Sequence, residues 1–219
     1  MQRMRLVLAS NNAKKLSEVQ AMLGGLAVDL VTQGSLGITE AEEPHHTFIE
    51  NGLAKARHAA AAAGGPAIAD DSGLCVNALG GAPGVGSAQF AGEVQLQGER
   101  ADQPAGERER QRRAQDAANN ALLLSRLQGV SERRGHFIST LVAVRHADDP
   151  EPLVAVGRWP GEILRAPRGE QGFGYDPLMF IPELNRTVAE LDAQMKNLHS
   201  HRARAMSHLL VLLREVWRV

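Results

Sequence analysis

The chain opens with an apolar run, Met4 to Ala9, that breaks into Ser10-Asn11-Asn12 and passes at once into helical spacing. Leu16, Val19, Met22 and Leu23 share a face, and Gly24-Gly25 stops the pattern. This strand-loop-helix opening constrains the fold more than any other feature, because the alternation continues. Ala27 to Val31 reads as a second strand, and Thr47 to Ala63 as a helix ended by Gly64-Gly65-Pro66. Ala67 to Ala69 is a short buried strand that the pattern ends at a polar turn, Asp70-Asp71-Ser72-Gly73. Residues 80–87 form a Gly/Pro loop, and Ala117 to Leu127 resumes helical patterning. His136 to Val144 and Leu153 to Trp159 read as strands paired across Asp148-Asp149-Pro150. Gly169 to Gly174 is a glycine-rich loop, Leu178 to Ile181 a short strand, and Ser200 to Val216 an amphipathic helix. Strands alternating with helices, with a late hairpin-like region, predict an α/β fold on a mixed, partly elongated sheet.

One stretch departs from this pattern. Residues 93–116 are charged and nearly devoid of large apolar side chains, which reads as a surface excursion or a solvated helix. Elsewhere 43% of the 219 residues are apolar, enough for the core of one domain, or of one domain with two lobes. The formal net charge of -1 provides no global basic field for nucleic acid or an anionic membrane. A protein of this charge that handles a polyanion must concentrate its cations locally. The single cysteine, Cys75, excludes an intramolecular disulfide and thiolate-rich zinc sites. The N-terminal apolar run is far shorter than a signal-peptide core, and no stretch approaches a membrane span. The expectation is a cytoplasmic protein.

Five groups of residues could carry chemistry. Ser10 to Lys15 leave a strand and open a helix, which suits either an anion on free N–H groups or an ordinary capped surface helix. The glycines of a Walker A loop are missing. Thr47, Asn51 and Lys55 share a helical stripe behind an acidic cluster that includes Glu43. That stripe is either a site or a solvated face. Asp70 and Asp71 end an apolar strand, where adjacent carboxylates are unfavourable unless paired, exposed or metal-bound. The carboxyl ends of strands are also where open α/β sheets bind ligands. Gly172 to Pro177 holds Phe173 and Tyr175, two of only eight aromatic residues, available to stack on a base or to fill the core. Finally, Ser200 reads as an N-cap, which puts His201 and Arg202 in a first helical turn where cations oppose the helix dipole.

Taken in order, SNNAKK at 10–15, TFIENGLAKARHAA at 47–60, AIADDSGLCVNALGGAPGVGSAQFAG at 67–92, GFGYDP at 172–177 and SHR at 200–202 closely resemble the inosine/xanthosine triphosphate pyrophosphatase family. The resemblance covers nearly the whole chain outside residues 93–116. It implies a homodimer that hydrolyses non-standard purine nucleoside triphosphates (ITP, dITP, XTP) to monophosphate and pyrophosphate. It also implies Mg²⁺ in a cleft between two lobes of one α/β domain. By the same resemblance, Asp71 accepts the proton of the attacking water, and Glu43 and Asp71 face the metal with Asp70 close by. Ser10, Asn11, Asn12, Ala13, Lys14, Lys15, Lys55 and Lys196 hold phosphates. Ser72, Phe173, Gly174, Tyr175, Asp176, His201 and Arg202 contact the nucleotide. Ser10-Asn11 stands where many members have Thr-Gly, and the 93–116 segment is longer than in typical bacterial members. A pyrophosphatase for modified pyrimidine nucleotides would share this general fold. A nucleic-acid module using residues 108–113 as a basic patch is opposed by the interleaved Glu109 and by the lack of interleaved aromatics.

Overall fold

A computed structural model describes residues 3–94 and 105–219, apart from the side chains of Ala13, Lys14, Ala105 and Arg108. Seven strands form one mixed sheet: β1 (Met4–Leu8), β2 (Val28–Thr32), β3 (Ala67–Val76), β4 (Arg134–Val144), β5 (Leu153–Ile163), β6 (Met179–Ile181) and β7 (Arg186–Thr187). Their order is β2-β1-β3-β4-β5-β6-β7. β1 is parallel to β2 and β3, and β6 is antiparallel to β5 and β7. The helices are α1 (Ala13–Leu23), α2 (Phe48–Ala63), α3 (Ala105–Arg126), α4 (Ala193–His199) and α5 (His201–Leu212), the last continuing as a π turn through Trp217. No helix among the described residues is long and apolar enough to cross a membrane. The chain divides into two compact units, one of Met1–Ser72, Ile138–Trp159 and Asn197–Val219, the other of Gly73–Phe137 and Pro160–Lys196.

In the first unit the apolar run of β1 explains the layering. Successive strand side chains point to opposite faces, so Leu6 and Leu8 enter one cluster with Val19, Leu23, Ile68 and Leu209. Val7 and Ala9 enter another with Ala56, Ala59 and Val142. Both faces are covered from Leu6 onward, so Leu6, Val7 and Leu8 are successive apolar residues rather than an alternating pattern. The alanine-rich α2 lies close to β4: a Cβ on Gly52 would meet Val142 Cγ2 at 3.0 Å. Thr47 caps α2, its Oγ1 accepting from the Glu50 N–H at 3.2 Å and donating to the Glu50 carboxylate at 2.6 Å. Gly64 ends the helix in the left-handed conformation at φ 62°, which glycine adopts without steric penalty. Still closer is the approach of α5 to β5, where a Cβ on Gly157 would overlap the His201 carbonyl oxygen and the Ala205 nitrogen.

One expectation is corrected here, and one of two stated alternatives is found. The strand that was to stop at Ala69 runs on through Asp70-Asp71-Ser72-Gly73 to Val76, because partners described below compensate its two carboxylates. The second half of the polar 93–116 stretch is the start of the 22-residue α3, and residues 95–104 lie outside those described. α3 buries Leu123, and Leu127 just past its end is buried too, yet much of the helix's fixation in the second unit is polar. Gln111, Gln115 and Asn119, spaced four residues apart, bond the backbone of residues 87–94. Asn119 is 2% exposed, accepts from the Ala91 N–H at 2.9 Å and donates to the Ala88 carbonyl at 3.0 Å. Buried Leu74, Val76, Phe137, Leu178, Met179 and Ile181 supply apolar core in this unit.

Candidate active site

In the first unit, β3 delivers two neighbouring carboxylates into different surroundings. Asp70 is 2% exposed. Its Oδ2 lies 3.0 Å from Arg202 Nε and 3.1 Å from Lys15 Nζ, and it accepts a 3.4 Å bond from Ser72 Oγ. Its Oδ1 accepts from Ser139 Oγ on β4 at 2.8 Å. Burial alone would raise its pKa, but Arg202, Lys15 and Ser139 outweigh that and hold the carboxyl far below the ordinary carboxylate range. Four donors meet this carboxylate, three on Oδ2 and one on Oδ1, so Asp70 serves as an internal counter-ion.

Asp71, on the opposite side of the strand, is 7% exposed and receives one strong donor, Lys55 Nζ at 2.8 Å on Oδ1. Its Oδ2 is buried without a hydrogen-bond partner. Burial, helped by the nearby Glu43 carboxylate, raises its pKa despite Lys55. Lys55 reaches from α2 to Glu43 at 2.8 Å and to the Asp70 carbonyl at 3.3 Å. Burial opposes its charge, yet Asp71 and Glu43 together raise its pKa, so it stays an ammonium. A cavity of about 100 Å³ lies among these groups, lined by Ser10, Lys15, Gln33, Glu43, Lys55 and Asp70. A groove of about 760 Å³ is larger but lies among residues 131–134 and 162–165. Its Arg133 donates to the carbonyls of Leu127, Ile163 and Leu164, so that side chain ties backbone together.

The loop from β1 to α1 borders the small cavity. Ser10 Oγ accepts from the Asn12 N–H at 3.1 Å, and Asn12 Oδ1 accepts from the Lys15 N–H at 3.2 Å, which caps α1. Asn11 donates to Glu40 at 3.1 Å. The side chains of Ala13 and Lys14 lie outside those described. Ser200 caps α5 by accepting from the Ala203 N–H at 3.2 Å, and His201 follows half-buried in the first turn. The next residue, Arg202, is 3% exposed, and each guanidinium nitrogen donates: Nε to Asp70, Nη1 to Glu18 on α1, and Nη2 to Ser72 Oγ at 3.3 Å. A cation in a first helical turn is tolerated because two carboxylates neutralise it. In this arrangement Arg202 turns inward and keeps Asp70 charged.

In the second unit, the loop 172–176 is a closed construction. Asp176, 5% exposed, accepts from the Phe173 N–H at 3.0 Å and from Lys196 Nζ at 2.8 Å. Lys196 also lies over the Phe173 ring at 5.2 Å, and Arg112 approaches the same ring at 5.8 Å. Tyr175 is buried, and its hydroxyl donates to the Ser87 carbonyl at 2.9 Å, so it fills core rather than offering a stacking face. Gly174, at φ 60°, is held by Asp116 and Asn120 of α3. Sequence reasoning missed Glu18, Ser139, Asp116 and Asn120. Glu18 and Ser139 carry no local signal, whereas the spacing of 112, 116 and 120 on one helical face was legible.

Residues 6–212 match the model of the Ham1 family. The dITP/XTP pyrophosphatase of Methylibium petroleiphilum is 67% identical over 214 residues, covering 98% of this chain and 99% of the relative. That of Leptothrix cholodnii is 64% identical with the same coverage. Among solved structures, a HAM1 protein from Coxiella burnetii superimposes with a TM-score of 0.85 at 40% identity, covering 97% of this chain and 100% of that one.

Proposed function

The chain belongs to the Ham1 family, and from that premise we propose that it hydrolyses non-standard purine nucleoside triphosphates (dITP, ITP and XTP) to monophosphate and pyrophosphate. The observation that carries the reading is Asp71: a nearly buried carboxylate with one oxygen bonded to Lys55 and the other without a partner. An oxygen of that kind has unused acceptor capacity for a proton or a cation. Burial and Glu43 raise its pKa, which makes it a stronger base than an exposed aspartate. In the hydrolysis, Asp71 accepts the proton of the attacking water, the new P–O bond forms at the α-phosphorus, and pyrophosphate departs with the electrons of the α–β linkage. Lys15 and Lys55 border the cavity and offset the triphosphate's charge. Lys55 would exchange carboxylate partners for phosphate oxygens.

Mg²⁺ is the cofactor we propose. The pair Glu43 and Asp71 fits it: both carboxylates flank Lys55, and Asp71 keeps a free oxygen. Mg²⁺ is commonly held by one or two carboxylates together with the substrate's own phosphates, and this pair would supply the protein's share. When bound, the ion would act as a Lewis acid on phosphate oxygens. In the second unit we assign the purine to half-buried Phe173 of the 172–177 loop, with Lys196 beside it. The family likeness also supports a homodimer in the cytoplasm, which sedimentation and cell fractionation would check.

The test is product identity. With dITP and Mg²⁺, pyrophosphate and dIMP are expected in equal amounts, turnover stops with EDTA, and ATP is turned over far more slowly. Orthophosphate and a diphosphate as first products would overturn the assignment.

A further inference from the structure

The grip of α3 on the loop that carries Phe173 has a role beyond packing. Arg112, Asp116 and Asn120 stand at four-residue intervals and so share one helical stripe. Asp116 Oδ2 accepts from the Gly174 N–H at 2.8 Å, and Asn120 Nδ2 donates to the Gly174 carbonyl at 2.9 Å. Those two groups belong to the two peptide planes that flank Gly174. Fixing both planes fixes φ and ψ of a residue that is otherwise the freest in any chain. The φ of 60° is therefore held from outside the loop. Phe173 precedes this locked residue, and Arg112, from the same stripe, lies against its ring.

We propose that Asp116 and Asn120 are positioning residues for purine recognition, which set Phe173 by locking Gly174; this rests on the proposed reading that the chain takes a purine nucleotide. The helix acts on the ring proposed to meet the base. A ligand without a base should then be blind to the stripe. Inorganic tripolyphosphate is such a probe.

The experiment compares wild type with Asp116→Ala, Asn120→Ala, Asp116→Asn and Asn120→Asp. Pyrophosphate release from dITP, inhibition by tripolyphosphate, and Tm are measured for each. For both alanine variants the KM for dITP is expected to rise roughly tenfold, below the hundredfold that an ångström of misplacement at a reacting centre can produce. kcat and the tripolyphosphate inhibition constant should stay near wild type. Asp116→Asn keeps an acceptor oxygen and should retain the wild-type KM. Asn120→Asp sets a carboxylate against the Gly174 carbonyl and should behave like the alanine variant. This conservative pair keeps the test valid if an alanine variant fails to fold. An unchanged KM in folded Asp116→Ala would overturn the proposal. So would parallel losses in kcat, tripolyphosphate binding and Tm, which mark a merely structural helix. A wild-type protein inert towards dITP would sink the functional reading instead, before any variant is compared.

Discussion

The surroundings of Asp71 and those of Phe173 are built by opposite means. In the first unit charge answers charge: Arg202, Lys15 and Lys55 are matched to Asp70, Asp71, Glu43 and Glu18, most of them removed from water. In the second unit α3 meets main chain: Gln111, Gln115, Asp116, Asn119 and Asn120 bond N–H and C=O groups of residues 87–94 and 174. Ions that must act on a polyanion have to be held charged, which takes counter-ions in a dry setting. A loop that must present a ring needs its dihedral angles fixed, and Asn120 and Asp116 do that by bonding main-chain groups directly. Electrostatic sites and shape-holding sites thus draw on different parts of the polar alphabet.

The contrast breaks first at Asp71. Asp71→Asn keeps the side chain's size and removes the base, so kcat for dITP should fall about 10²–10⁴-fold while the protein stays folded. Near-normal turnover by a folded variant would remove Asp71 from the chemistry and leave the charged cluster without its central member.

Asp70→Asn tests the same cluster as a stability element. It leaves the buried Arg202 with one anionic partner fewer, and breaking one side of a buried pair is worth about 3–5 kcal/mol, readable as a shift of the urea midpoint. The pH dependence has a definite sign. Asp70's pKa is lowered on folding, so its contribution is complete above the ordinary value near 3.8 and fades as pH falls below it. Wild-type stability should drop steeply below about pH 4 and the variant's less steeply. Parallel pH profiles would mean that Asp70 is not the counter-ion described.

A smaller effect is expected in the second unit. Asn119→Ala strands the Ala91 N–H and the Ser87 and Ala88 carbonyls, and should lower stability by about 1–3 kcal/mol, with no dependence on pH between 4 and 8. An effect as large as that of Asp70→Asn would erase the distinction between the regions. Smallest of all, Glu132→Gln breaks only an exposed contact with Arg134, so no Tm change that survives physiological salt should be detected.

The sequence announced these two regions unequally. β1, the capped openings of α1 and α2, and the residues Lys15, Lys55 and Asp71 are marked by short-range patterns: apolar runs, caps and four-residue spacing. The mixed sheet and the pairing order of β4 and β5 followed from the same periodicities. The end of β3 was misplaced because two adjacent aspartates look intolerable in a strand. The cation that makes Asp70 tolerable, Arg202, is 132 residues away. The inward pairing of Arg202 was not legible for the mirror-image reason, since its partner Glu18 lies 184 residues back. α3 was read as a solvated excursion because glutamine and asparagine that bond backbone have the same composition as those that bond water. Only the partners distinguish the cases, and Asp116 finds its partner 58 residues on.

Gly157 on β5 gives the charged cluster a gauge. Its missing side chain lets the first turn of α5 rest directly on strand backbone, and that turn carries Arg202. The Arg202–Asp70 distance of 3.0 Å is thus set by an atom that is not there. Gly157→Ala would force α5 outward by about 1 Å to restore ordinary contact, enough to stretch that bond out of range. A methyl group on a strand with no chemistry of its own would in that way be felt as a change in acidity at Asp70. The position works as a spacer of zero thickness, and every larger residue there retunes a charge it never touches.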